Sequence, residues 1–160
     1  MIVVSDTSPI RALWHLGLMT LLRDLFGEVF VPPAVVAELS DSPSRLPAIS
    51  VEGFDFLRIQ APRDRSRVMQ LASTLDAGES EALALAVEIG AGAVLIDERA
   101  GRARALKLGL QPLGLLGILA RAKANGQIQA IGPLVRTLQG ETAFFVSDAL
   151  LREVLREAGE

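Results

Sequence analysis

The chain has 160 residues, half of them hydrophobic and 4% aromatic, with a formal net charge of −3, no cysteine, no tyrosine and one histidine. That length suits one domain with a core of Leu, Ala, Val and Ile, while the missing cysteines exclude disulfides, thiolate nucleophiles and cysteine zinc sites. The charge balance offers no general attraction to nucleic acid, so any such binding must come from a local basic patch.

The first apolar run, Met1 to Ser5, predicts a β-strand that ends at Asp6. A helix is expected from Pro9, with Ser8 as its N-cap, and a second across Leu18 to Phe26. His15 follows Trp14 inside the first of these and is expected to be a packing or surface residue. Glu28 to Val31 reads as a short extended piece, and Pro32-Pro33 opens a helix through Leu39. Asp41 to Pro47 reads as a loop or a short turn of helix, and Phe54 to Ile59 as a strand.

Helices follow over Arg65 to Thr74 and Gly78 to Gly90. Ala93 to Ile96 is the clearest buried strand after the first, and it ends at Asp97. A helix over Glu98 to Leu108 is closed by Gly109, and Pro112-Leu113 is extended. Further helices are expected over Leu115 to Ala124, Pro133 to Leu138 and Asp148 to Ala158, the last capped by Ser147. This alternation implies a parallel sheet flanked by helices, in one domain spanning 1–160 with a helical C-terminal segment from about residue 126.

No apolar run reaches the ~18 residues that a membrane span needs. Leu108 to Ala120 comes nearest, but Gln111, Pro112 and internal glycines break it. No basic stretch precedes the first apolar run, so a secretory signal is not expected and a soluble, cytoplasmic protein is.

Chemistry is carried by acids. Asp6 and Asp97 each end a strand and precede a helix, at the sheet edge where ligands of open α/β folds sit. Either residue type would also serve as a turn or helix cap. Glu38 lies on or beside the apolar stripe of its helix, where a charge is rare unless paired or bound to metal. Glu79 lies in Asp76-Ala77-Gly78-Glu79, which also reads as a capping box with Asp76 as N-cap, and Glu81, one residue away from the same helix face, is expected as its solvent-facing partner.

Four carboxylates in one cleft repel unless they are protonated or share a cation. Mg²⁺ or Mn²⁺ suits oxygen ligands, and hydrolysis of a phosphodiester around such an ion needs no histidine. Ser8 offers a hydroxyl two residues after Asp6. Arg99, Arg102, Arg104 and Lys107 make the helix after Asp97 basic, with Arg99 and Arg102 on one face near its start, where phosphate also meets free amides. Such a run is equally at home on a solvated surface. The glycines at 90–92 and 114–117 match neither a P-loop nor a dinucleotide fingerprint, and Asp6-Thr7-Ser8 lacks the second aspartate of a phosphoaspartyl hydrolase.

Together, Val4-Ser5-Asp6-Thr7-Ser8-Pro9, Pro33 to Glu38, Gly78-Glu79-Ser80-Glu81-Ala82 and Leu95-Ile96-Asp97-Glu98-Arg99 with Gly101-Arg102 resemble the PIN-domain family, in particular its small prokaryotic VapC-like members. The resemblance covers about residues 1 to 125. It implies a three-layer α/β/α fold with a central, mainly parallel sheet, and a metal-dependent endoribonuclease of toxin–antitoxin type. It also implies that Asp6, Glu38, Glu79 and Asp97 are the catalytic and metal-binding acids around Mg²⁺ or Mn²⁺. Ser8, Arg99 and Arg102 are the candidates for substrate phosphate. Homodimers and a cognate antitoxin follow from the likeness, with RNA as substrate and no membrane. Two positions depart from the pattern, Glu79 where Asp is common and Ile96 where a polar residue is frequent. The alternative is a PIN-like module that binds RNA or protein without cutting.

Overall fold

The computed structural model describes residues 1–41 and 46–160, so the loop expected over Asp41 to Pro47 falls largely outside the described residues. The elements run β1 (Val3–Ser5), α1 (Thr7–His15), α2 (Thr20–Phe26), β2 (Val29–Val31), α3 (Pro33–Ser40), β3 (Leu57–Ile59), α4 (Arg65–Leu71) and α5 (Ala77–Glu88). They continue with β4 (Ala93–Leu95), α6 (Arg99–Lys107), β5 (Pro112–Leu113), α7 (Leu115–Ala124), α8 (Gly132–Glu141) and α9 (Asp148–Glu157).

The strands form one sheet in the order β3-β2-β1-β4-β5, every pair parallel. From β1 the chain builds outward through β2 to β3, then crosses to the other side of β1 to lay down β4 and β5. The direction of winding reverses between β1 and β4, which opens a crevice at their carboxyl ends. Val3 pairs with Ala93 and Ser5 with Leu95, so Asp6 and Asp97 leave adjacent strands almost level with one another.

Side chains alternate across this sheet with the period of two that a pleated strand dictates. Val3, Val29, Val31, Ala93 and Leu95 enter a core shared with α1, α2, α3, α7 and α8. Val4, Val94 and Ile96 enter a second core with α4, α5 and α6. Both faces are covered, which gives the three-layer α/β/α architecture and explains why the strands read as unbroken apolar runs. Helix α9 rests Leu151, Val154, Leu155 and Ala158 on the first core. No described helix is long and apolar enough to cross a membrane.

Several local expectations change, among them α2, which begins at Thr20 and not Leu18, and α8, which runs on to Glu141. Helix α1 begins at Thr7, two residues before Pro9, because Asp6 is the extended N-cap position; Ser8 therefore lies in the first turn and is not the cap. The strand expected over Phe54 to Ile59 contracts to β3, preceded by a 3₁₀ turn at Val51–Gly53. After Leu71 the chain leaves the helix through the turns Thr74 N–H to Leu71 O and Leu75 N–H to Leu71 O, short of the expected Thr74 end.

Candidate metal centre

Asp6 is held by the sheet itself. Its amide donates to the Leu95 carbonyl at 2.9 Å, continuing the β1/β4 ladder one step past the strand, and its side chain is only 3% exposed. Oδ1 is buried with no hydrogen-bond partner among the described residues. Burial pushes the carboxyl up to about 7, partly offset by a bond from the Thr7 amide and reinforced by the charges of Asp76, Glu38 and Asp97.

Glu38 approaches from α3, a helix that starts with proline at its first position and packs on α5. Thr7 Oγ1 donates to Oε2 of Glu38, and the Gly78 amide donates to Oε1 at 3.0 Å. The Glu38 carboxylate fills the space where a β-carbon at residue 78 would stand, so only glycine admits it there. Arg11 ties down the same turn, its Nη2 donating to the Glu38 carbonyl at 2.7 Å and its Nη1 to the Pro47 carbonyl at 3.1 Å.

Asp76 is the N-cap of α5, with Oδ1 accepting from the Glu79 amide at 2.8 Å. One carboxylate oxygen from each of Asp6, Glu38 and Asp76 lies within 4.8 Å of the other two, and this is the only such group among the described residues. Asp76 thus joins the acids as more than the helix cap that its local sequence suggests. Its position beside Asp6 depends on how α5 crosses the sheet, which no local pattern encodes.

Glu79 is buried in the same neighbourhood without belonging to that tight trio. Burial raises it to about 8, followed by contact with the Asp76 carboxylate and the charges of Asp6 and Glu98. Its Oε2 is 2.8 Å from the place a β-carbon at Gly101 would occupy, a second close approach that glycine permits. Glu81, expected as a solvent-facing neighbour, is instead 8% exposed and structural. Its Oε1 accepts from the Ala34 amide at 2.8 Å, satisfying the start of α3, and its Oε2 pairs with Arg65 at 2.9 Å.

Asp97 follows β4 by two residues. The cap of α6 is Glu98, while Asp97 Oδ1 reaches across to accept from the Leu115 amide at 2.8 Å, at the first residue of α7. Its Oδ2 is buried and unpartnered among the described residues. Burial raises its pKa, against the Leu115 bond and the nearby Arg102 guanidinium. Arg102 Nη1 donates to the Ile96 carbonyl at 3.2 Å, which holds that guanidinium next to Asp97.

A cleft of about 1180 Å³ adjoins Asp97, with Ser8, Arg99 and Arg102 in its wall and Trp14 and Phe145 on its apolar side. Asp6, Glu38, Asp76 and Glu79 do not line that cleft. Arg99 is exposed and Arg102 half-buried. His15 pairs with Glu141 at 3.0 Å and lies half-buried on the cleft wall, as a packing or surface residue would.

The donor set is all oxygen. Among the described residues two buried carboxylate oxygens, Asp6 Oδ1 and Asp97 Oδ2, have no partner, and Asp6, Glu38 and Asp76 converge to within 4.8 Å. Asp6, Glu38 and Asp76 fit a hard divalent cation, which would meet the orphaned Asp6 oxygen and offset their mutual repulsion, while Asp97 lies outside that trio. Compared with known proteins, residues 2–160 match a family model described as a PIN domain. No curated protein matches the chain.

Proposed function

The chain belongs to the PIN-domain family, and from that premise we propose that it is a metal-dependent endoribonuclease that hydrolyses RNA phosphodiester bonds. PIN domains are generally metal-dependent nucleases. The observation that carries the reading here is the pair of buried oxygens on Asp6 and Asp97, unpartnered among the described residues, at the carboxyl ends of neighbouring strands, with Glu38 converging on Asp6.

Asp6, Glu38, Glu79 and Asp97 are the residues that would hold Mg²⁺ or Mn²⁺. Bound there, the ion would neutralise phosphate charge and lower the pKa of water so that hydroxide is available as nucleophile near neutral pH. Glu38 is kept in orientation by Thr7 and Gly78, and Asp97 by the Leu115 amide. Glu79, raised to about 8 by burial, would hold a proton near neutrality that cation binding would release. Arg99 and Arg102 would steer the RNA backbone towards the acids from the start of α6, with the Ser8 hydroxyl as a further contact in the same wall.

A toxin role in the cytoplasm accords with this activity, as do a homodimer and a cognate antitoxin. Trp14, Phe145 and Leu150, exposed on the cleft that Asp97 lines, offer the apolar surface that such a partner would cover. The test is cleavage of single-stranded and structured RNA by the purified protein. Cleavage should require Mg²⁺ or Mn²⁺ and vanish in Asp6→Asn and Asp97→Asn. Intact RNA across varied sequences with either metal would instead support the binding module that does not cut.

A further inference from the structure

Capping α5 asks little of residue 76. One acceptor oxygen suffices, and Asn or Ser would supply it as well as Asp. The exposed Asp76 carboxylate spends Oδ1 on the Glu79 amide and also meets the Glu79 carboxyl, yet its two oxygens offer more lone pairs than these contacts use. It also brings a negative charge to within 4.8 Å of oxygens on Asp6 and Glu38, where three carboxylates repel each other. None of the three forms a salt bridge with a described basic residue. The Arg11 guanidinium nearby is engaged with the Glu38 and Pro47 carbonyls.

Independent of this clustering, Asp6 is 3% exposed and its Oδ1 lacks a partner among the described residues, which is a cost unless something positive meets it. Glu38 is also fixed before any ligand arrives, both of its oxygens accepting bonds from Thr7 and Gly78. Three carboxylate oxygens therefore lie within 4.8 Å of one another, and the third comes from residue 76. We propose that Asp76 is itself a ligand of the divalent cation, acting with Asp6 and Glu38 while it caps α5.

The proposal rests on the reading of this site as a cation centre, and a calorimetric titration separates the two. Mn²⁺ is titrated into the wild-type chain, Asp76→Asn and Asp76→Ser, and the melting temperature of each metal-free protein is recorded. Both variants keep a capping oxygen. Asp76 as a ligand predicts that wild type binds Mn²⁺, that each variant binds at least about tenfold more weakly, and that metal-free melting is unchanged or higher because a repelling charge has gone. Wild-type affinity in both variants would leave Asp76 a cap alone and overturn the proposal. Weaker binding accompanied by a lower metal-free melting temperature in both would mark a structural role and overturn it as well. Absence of Mn²⁺ binding by the wild-type chain would remove the cation centre itself.

Discussion

Gly78 and Glu38 are fitted to each other across 40 residues of sequence: the Gly78 amide donates to Glu38 Oε1 at 3.0 Å, and the carboxylate occupies the space of the absent side chain. Gly78→Ala should therefore push Glu38 out of place without disturbing α5, since alanine is the better helix former. The expected result is an unchanged far-ultraviolet circular dichroism spectrum with Mn²⁺ affinity reduced about tenfold, the scale of losing a residue that orients a ligand. Unchanged affinity would mean that Glu38 is not held there for a cation.

The raised acids give a pH dependence with a definite sign. Asp6 moves from 3.8 to about 7 and Glu79 from 4.5 to about 8, so between about pH 4 and 8 the folded chain holds protons that the unfolded chain has released. Their contribution to stability is fully present below the unfolded values and is lost as pH rises through the folded ones. Metal-free protein should melt at progressively lower temperature from pH 5 to pH 8. Saturating Mn²⁺ should reverse that trend, because binding displaces the same protons. Thermal melts with and without metal across this range make the check.

Much of this fold was legible because the signals were local. The apolar runs before Asp6 and Asp97, the prolines opening α3 and the Ser147 cap of α9 each act within a few residues, and each element appears where these signals put it. The strand order was not, since it depends on which runs become neighbours in space. The acids show the same limit. Asp97 looks like the cap of the helix that follows it, yet Glu98 takes that place and Asp97 bonds the start of α7, 18 residues on. Asp76 was readable as a cap and is one, but capping and ligation favour the same residue type, so only its approach to Asp6 and Glu38 distinguishes them.

Arg102 is anchored by the Ile96 carbonyl at 3.2 Å and stands beside Asp97 in the cleft wall. If it contacts backbone phosphate, Arg102→Ala should weaken RNA binding for all sequences alike and reduce the salt slope of log affinity by about one. Binding measured in an inactive background across salt concentrations reads this directly. An unchanged slope would assign Arg102 to the surface rather than to RNA.

Glu81 supplies the structural contrast among the acids. Glu81→Ala leaves the Ala34 amide without its acceptor and Arg65 without its partner. The expected loss is about 1–3 kcal/mol of stability in denaturant unfolding, the cost of an unsatisfied buried group. Mn²⁺ affinity should fall far less than in Asp6→Asn. Comparable losses of affinity in the two variants would show that Glu81 belongs to the cation centre.

The claim on which the rest depends is that the acids beyond β1 and β4 hold a divalent cation. Crystals soaked in Mn²⁺ and measured for anomalous scattering test it most directly. The account predicts a peak in contact with the Asp6 carboxylate and at least one of Glu38, Glu79 and Asp97, absent from Asp6→Asn crystals treated identically. A saturated soak with no peak at Asp6, or an equal peak in the variant, would contradict it.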